Sequence, residues 1–316
     1  MSIAQSQKEY IDQAIPKKKY LTLLKRQRDV SFRFTERDFE VIEWVNKCGY
    51  LLVWMIKFLV FPNTSDNQVC RRRLKYLYHA GYLSRVQAVL PKGRGAGEMA
   101  YCLGNKSVEL LEAEGIQVLS YSRNSRLKHA FLNHALSVAL FRIYLELGLK
   151  EMPQVNLRRV IMDFEIKSFP LEKGGKKEYR LFNKLIHPNN KKPYICYPDI
   201  FFILEGTGKY KDMKMGYCVE CDRGSMSLKR IIREKITGYD LFKSTGKYTK
   251  WAIENFMVLF VTSSEKRVMN LRDEMVGQAG SEFTWITDHT KVNPKSIFNE
   301  PIWLDHRYNM RSILKN

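Results

Sequence analysis

The sequence predicts two folded units, an α+β unit in the N-terminal third and an α/β layered unit in the remainder. Helical spacing of apolar residues over 32–80, followed by two short strand-like runs, predicts the first unit. Apolar runs at 199–204, 216–221 and 256–264, with helical segments between and after them, predict the second. The chain has 316 residues, of which 45% are hydrophobic, so it can form two or three cores.

The charge balance favours a polyanionic partner. Formal net charge is +20, from 53 Lys and Arg against 33 Asp and Glu, and double-stranded DNA is the first candidate. An anionic membrane surface and plain solubility are the alternatives. No apolar run reaches the roughly 18–20 residues of a membrane span, and no secretion signal is visible.

The six cysteines show no zinc-type pairing. The one close pair, Cys218 and Cys221, falls on an expected strand and is interpreted as two buried thiols. Cysteines that are free thiols favour a reducing compartment, here the cytoplasm of a prokaryotic cell or a phage-infected host.

Residues 1–31 form a basic arm without apolar periodicity. The arm is either a solvated tail or a segment that orders on the DNA backbone. Helical spacing follows. Thr35 is expected to cap a first helix that ends at Gly49, and a second helix, 51–60, ends before Pro62.

A third helix is predicted from Thr64 or Ser65 to Gly81, and two strands joined by a basic, glycine-rich turn follow it. Its expected buried stripe consists of Val69, Leu74, Leu77 and Tyr78. Three helices and a basic-tipped hairpin describe a winged helix, so residues 32–120 are expected to bind DNA through the third helix. A winged helix that contacts protein is the alternative. The residues expected to contact DNA are Asn67, Gln68, Arg71, Arg72, Arg73 and Lys75 on the helix, and Lys92 and Arg94 on the wing.

The second domain is predicted over 121–316 and begins with a long linking helix, 125–147. This helix carries His129 and His134, whose spacing of five does not place them on one helix face. They are therefore interpreted as packing or capping histidines, with a contact to the catalytic face or to phosphate as the alternative. Residues 171–193 are interpreted as a surface loop or ragged hairpin, with a DNA-facing insertion as one reading.

Three acids lie at the ends of the two central apolar runs. Asp199 opens the first run, and Glu220 and Asp222 close the second. A charge inside an apolar strand is costly unless it is paired or binds a metal. The expected helix over 225–243 brings lysines nearby, and this combination is typical of a divalent-metal phosphodiesterase. The alternative is that these acids pair with basic neighbours, including Arg223.

Two motifs carry a family resemblance. Pro198-Asp199 and the E-C-D of residues 220–222 resemble the PD-(D/E)XK nuclease superfamily. Within it the chain is similar to the plasmid replication-relaxation family, which joins a winged helix to a nuclease-like core. That family carries E-x-D-R-G before a helix with a lysine and a tyrosine, here Lys235 and Tyr239, and an H-A-L-S-V-A-L helix, here around His134. The resemblance covers about residues 32–265.

The resemblance implies a restriction-endonuclease-like α/β domain and a site-specific nickase or endonuclease acting on plasmid, phage or other mobile-element DNA. Asp199, Glu220 and Asp222 would bind Mg²⁺ or Mn²⁺, and Arg223 would contact DNA. Asp222 occupies the position of the family lysine, so Lys235 or Lys229 must supply that charge.

Without such a lysine the chain would be a non-catalytic DNA-binding regulator or replication accessory protein. Tyr239 is interpreted as helix core or a phosphate contact. Palindromic recognition would require a homodimer, which no heptad repeat predicts.

Overall fold

The computed structural model describes residues 26, 33–64, 66–89, 99–119, 126–167 and 178–314. It is a mixed α/β structure with a mixed main sheet. Most of the predicted basic arm lies outside the described residues, as do Lys92 and Arg94 of the predicted wing. The division at residue 120 stays a prediction.

The N-terminal part packs helices against a four-stranded sheet of order β1-β3-β2-β4. The Thr35 amide and hydroxyl both donate to the Asp38 carboxylate at 2.8 Å, which confirms the predicted start of the first helix. The elements are α1 (Glu36–Cys48), β1 (Leu51–Leu52), α2 (Val53–Val60), α3 (Gln68–Ala80), β2 (Leu83–Val89), β3 (Met99–Leu103), α4 (Asn105–Ala113) and β4 (Arg126–Lys128).

The buried stripe of α3 begins one residue later than predicted. Val69 is 40% exposed, whereas Cys70 is fully buried with Leu74 and Leu77. Residues 70, 74 and 77 follow the four- and three-residue steps of one helix face, and residue 69 lies about 100° away from it. The prediction was right for Leu74, Leu77 and Tyr78 and wrong for Val69.

The linking helix α5 (His129–Lys150) begins later than predicted, because residues 126–128 pair in parallel with β2. It packs against both parts of the chain. Leu132, Ala139 and Ile143 join the N-terminal core, and Val138, Phe141 and Leu145 join the core of the main sheet. Among the described residues this helix, over Ala130–Lys150, is the one whose length and apolar composition would suit a membrane span, a match that counting uninterrupted apolar runs did not reveal.

The main sheet has seven strands in the order β13-β12-β11-β10-β9-β8-β5. Strands β9, β10 and β11 are parallel, and the other neighbours are antiparallel. The strands are β5 (Val155–Met162), β8 (Ile200–Gly206), β9 (Lys214–Cys221), β10 (Phe256–Thr262), β11 (Thr284–Asp288), β12 (Trp303–Leu304) and β13 (Met310–Arg311). A separate hairpin is formed by β6 (Asn183–Ile186) and β7 (Pro193–Cys196).

Helices cover both faces of the main sheet. The predicted 225–243 helix consists of α6 (Leu228–Arg230), a π-helical segment (Ile231–Ile236) and α7 (Thr237–Ser244). With α8 (Glu265–Met275) it covers one face, and α5 with α9 (Ser296–Asn299) covers the other. All six cysteines are buried and none forms a disulfide, as predicted for Cys218 and Cys221.

Candidate active site

Asp199 lies immediately before β8, where its backbone amide donates to the Val219 carbonyl at 2.9 Å. The antiparallel register of β8 and β9 therefore brings its side chain to the end of β9. Its Oδ2 accepts a hydrogen bond from the Cys221 amide at 2.7 Å, and its Oδ1 lies 3.1 Å from His134 Nε2. Asp199 is only 8% exposed, and each of its two carboxylate oxygens has a defined partner.

Asp163 joins this group from the end of β5. Met162 pairs with Ile200 across the sheet, and the Asp163 amide donates to the Asp199 carbonyl at 2.9 Å. One ligand atom from each of three residues, namely His134, Asp163 and Asp199, lies within 4.8 Å of the others. We call these three residues the His-Asp-Asp cluster. Two carboxylates and an imidazole fit a divalent cation that accepts nitrogen beside oxygen ligands.

The charges in the cluster influence each other strongly. Burial, together with the nearby Asp199 carboxylate, raises the pKa of Asp163 to about 7. Burial acts in the same direction on Asp199, but the hydrogen bond to His134 and the charge of Lys235 hold its pKa below the ordinary value. The Asp199 carboxylate in turn raises the pKa of His134. The cluster therefore favours an ionised Asp199 next to a carboxyl group, Asp163, whose pKa of about 7 lies near neutral pH.

Glu220 occupies the next position in the site, one residue before the end of β9, and is 2% exposed. Its Oε1 accepts a hydrogen bond from the Tyr239 hydroxyl at 2.5 Å, and its Oε2 forms an ion pair with Lys235 Nζ. Burial raises the pKa of Glu220 to about 7, against the opposing attraction of Lys235. Burial lowers the pKa of Lys235, but the charges of Glu220 and Asp199 outweigh it and the pKa is raised.

The helix backbone explains how Lys235 reaches Glu220. Lys235 belongs to the π-helical segment, and Tyr239 follows one turn later on α7. Both side chains converge on the same carboxylate, so of the two lysines considered, Lys235 and Lys229, it is Lys235 that contacts a predicted acid. Lys229 is exposed at the start of the helix. Short π-helical segments occur frequently at functional sites.

Asp222, predicted as a catalytic residue and metal ligand, has different partners. Arg267 pairs with it through Nε and through Nη2, the latter at 3.1 Å, and the Gly224 amide donates to its Oδ1 at 3.0 Å. Asp222 thus lies outside the His-Asp-Asp cluster and connects β9 to α8. Arg223 pairs with neither Glu220 nor Asp222. Its Nη1 donates instead to Ser137 Oγ at 2.7 Å.

Two adjoining cavities surround the acids. The first, of about 410 Å³, is lined by Asp199, Glu220 and Lys235 and by Asp222 and Arg223 at its rim. The second, of about 520 Å³, shares the first three residues and extends past Asp163 to the β6–β7 hairpin. Both cavities therefore lie at the strand ends that carry the acids.

The predicted DNA-contacting face of α3 is largely exposed. Arg73 is the exception, because its Nε donates to the buried Asp38 carboxylate at 2.6 Å and its Nη2 donates to the Arg33 carbonyl at 2.6 Å. It clamps α3 onto α1 and does not face outward. The exposed members are Gln68, Arg71, Arg72 and Lys75, and Asn67 is half-buried.

Two members of the cluster were not assigned to the site from the sequence. His134 was interpreted first as a packing or capping histidine, but the structure places it against Asp199, in agreement with the alternative of a contact to the acid-bearing face. Asp163 was not singled out. The available signals were a carboxylate directly after an apolar strand and the family-like helix around His134.

A profile of the replication-relaxation family matches residues 42–256, about two-thirds of the chain. The chain belongs to this family. The matched segment runs from within α1 to the first residue of β10. It includes α3 and the four acids Asp163, Asp199, Glu220 and Asp222. Searches among curated proteins and among solved structures gave no significant match. Membership of the replication-relaxation family supports a role in the replication or relaxation of plasmid DNA.

Proposed function

We propose that this replication-relaxation protein is a metal-dependent nickase or endonuclease of plasmid, phage or other mobile-element DNA. Its N-terminal part would act as a winged helix and its C-terminal part as a PD-(D/E)XK-type nuclease. The exposed basic residues of α3 support contact with double-stranded DNA, and the reducing cytoplasm is the compartment proposed.

The observation that carries the proposal is the convergence of the His-Asp-Asp cluster with the Glu220–Lys235 pair. These residues come from α5, from the π-helical segment that carries Lys235 and from the ends of three neighbouring strands, and they line one adjoining pair of cavities. Two buried acids, Asp199 and Glu220, beside the half-buried Asp163 and Lys235 are costly to assemble for stability alone. Perturbed pKa values of several cleft residues are a feature of catalytic sites.

The donor set would hold Mg²⁺ or Mn²⁺ through Asp199, Asp163 and His134. When bound, such an ion would lower the pKa of an attacking water molecule and neutralise charge on the scissile phosphate. Lys235 keeps its proton because its pKa is raised, so it presents a fixed positive charge to the pentacovalent phosphate. Glu220 holds that ammonium group through their ion pair, and the Tyr239 hydroxyl in turn holds Glu220.

The second candidate is a non-catalytic DNA-binding regulator or replication accessory protein. It is favoured by one observation: Glu220 and Asp222, two of the three predicted metal ligands, are already paired with cations. In this case the acids would stabilise the fold, and the chain would act through DNA binding alone.

Incubation of supercoiled plasmid from the protein's own element with Mg²⁺, Mn²⁺ or EDTA separates the two functions. We expect open-circle product that requires metal and that disappears in Asp199→Ala and Glu220→Ala variants. Asp212→Ala is the matched control, since Asp212 is an exposed acid in the β8–β9 connection. Tight, salt-sensitive binding of the cognate plasmid without any nicking would instead establish the regulator.

A further inference from the structure

The β6–β7 hairpin exposes an apolar ridge to solvent. Its antiparallel register places Ile186 opposite Pro193 and Lys184 opposite Ile195, so all four side chains lie on one face. Ile186 is 51% exposed and Ile195 is 53% exposed. The solvent face of an antiparallel ribbon is normally polar, so apolar residues on this face indicate a partner.

The opposite face of the hairpin fixes the ribbon to the protein. Leu185 and Cys196 are buried in the core beneath the main sheet, and Lys250 bonds Asn183 at the base. The β7 backbone rests directly on α7, where a Cβ at Gly238 would lie 3.0 Å from the Ile195 carbonyl oxygen. The ridge is therefore held on a rigid support.

The turn of the hairpin is also ordered and basic. The His187 amide donates to the Lys192 carbonyl at 2.9 Å, and the Lys191 amide donates back to the His187 carbonyl at 3.0 Å. Lys191 has a φ of 57°, in the left-handed region that a lysine seldom adopts. Two exposed lysines, 191 and 192, thereby lie beside the apolar ridge.

The ridge is adjacent to the acids of the candidate active site. Lys192, Pro193 and Ile195 line the cavity of about 520 Å³ that also contains Asp163, Asp199 and Glu220. A DNA strand that reaches the acids through this cavity passes along this wall. In DNA, stacked bases lie between two phosphate backbones. The exposed aliphatic side chains suit contact with the bases, and the flanking lysines suit contact with the phosphates.

We propose that the β6–β7 hairpin is a wedge that enters the duplex and unstacks a base step next to the phosphate presented to the His-Asp-Asp cluster. This role rests on the proposed function, since it assumes that the duplex lies across the acid site. Apolar side chains inserted between base steps unstack and kink DNA, and flanking cations offset the phosphate repulsion. Local unwinding would place a single strand in the cavity.

Closed-circular plasmid provides a test that requires no nicking and no known target sequence. The protein is bound to plasmid in EDTA, the DNA is relaxed with a topoisomerase that needs no metal, and the topoisomers are separated after the protein is removed. We expect the wild-type chain to lower the linking number in proportion to the protein bound. An Ile186→Ser/Ile195→Ser variant is expected to bind within about twofold of wild type, because its phosphate contacts remain, but to lose most of the shift.

Val276→Ser is the matched control, because Val276 is an aliphatic residue with 52% exposure outside the hairpin. It should unwind plasmid as the wild type does. An equal linking-number shift in the double serine variant, or binding without any shift in the wild type, would overturn the wedge. So would a wild-type dimer in sedimentation that the double variant dissociates, because the ridge would then be a subunit contact. Unwinding without magnesium-dependent nicking would reject the proposed nuclease and keep the wedge, and nicking without unwinding would do the reverse.

Discussion

Four acids meet at the edge of the main sheet, and they fall into two pairs with different partners. Asp163 and Asp199 lie with His134, and within the described residues neither forms an ion pair with a lysine or arginine. Glu220 and Asp222 are each paired with a cation, Lys235 and Arg267 respectively. We therefore expect the first pair to bind the metal, and each member of the second pair to hold its basic partner in place.

The N-terminal part shows what a purely structural acid looks like in this chain. Asp38 is fully buried and is clamped by Arg73, which joins α3 to α1. Asp222 repeats this pattern by joining β9 to α8 through Arg267. Burying such a carboxylate is tolerated because a guanidinium compensates the lost hydration. The His-Asp-Asp cluster lacks this compensation, which is the expected cost of a functional site.

The largest effect is expected for Asp163→Asn. If Asp163 is a ligand, the amide should reduce nicking by roughly a thousandfold, about 4 kcal/mol in the barrier, while the protein stays folded. Plasmid nicking rates and circular dichroism measure the two quantities. Asp212→Asn is the matched control. Wild-type nicking by the Asp163→Asn variant would exclude this residue from the ligand set.

Lys235→Met should have the next largest effect. Removing the fixed charge is expected to slow nicking about a hundredfold, as for the loss of one transition-state contact. The fold should survive because Glu220, whose pKa is already raised to about 7, can take up a proton. Lys229→Met changes an exposed lysine of the same helix and should nick as the wild type does. The reverse ranking of the two variants would assign the catalytic charge to Lys229.

Asp222→Asn should act mainly on stability. Arg267 would lose its carboxylate partner in a largely buried setting, and the free energy of unfolding should fall by about 3 kcal/mol. The folded fraction should still nick within about tenfold of wild type. An Asp222→Asn/Arg267→Met double variant should recover part of the stability in denaturant titrations. A loss of nicking as large as that of Asp163→Asn would return Asp222 to the ligand set.

Much of the fold was predictable because its signals are local. The Thr35 cap, the end of α3 at Gly81 and the apolar strand β10 all follow from short sequence patterns. The Val69 error was also local, because Cys70 and not Val69 shares a helix face with Leu74 and Leu77. The late start of α5 has a different origin, since it depends on the pairing of β4 with β2 across a long stretch of chain.

The candidate site was predictable where a charged residue interrupts an apolar strand or recurs at helical spacing. Asp199 and Glu220 are acids inside apolar strands, and Lys235 is four residues from Tyr239 on one helix. Asp163 and His134 required tertiary information. Asp163 reaches Asp199 only through the β5–β8 register, and His134 does so only through the packing of α5 against the sheet.

The smallest effect is expected for an acid of a third kind, held mainly by hydrogen bonds. Burial alone would raise the pKa of Asp305, but the Asn309 amide and the Arg311 guanidinium lower it below the ordinary value. Since the folded-state pKa is depressed, the stabilisation is present above the unfolded pKa of about 3.9 and is lost as pH falls through the folded value. Asp305→Asn should therefore cost about 1–2 kcal/mol at pH 7.

That difference between wild type and Asp305→Asn should shrink steadily in denaturant titrations below the unfolded pKa, about 3.9. Nicking by the folded Asp305→Asn protein should equal that of wild type, because Asp305 lies in the β12–β13 connection and lines neither active-site cavity. A pH-independent difference would mean that shape and not charge stabilises this turn. A selective loss of nicking would instead show that the β12–β13 end of the sheet contributes to the site. Asp305 would then belong with the acids that act in catalysis and not with those that only stabilise the fold.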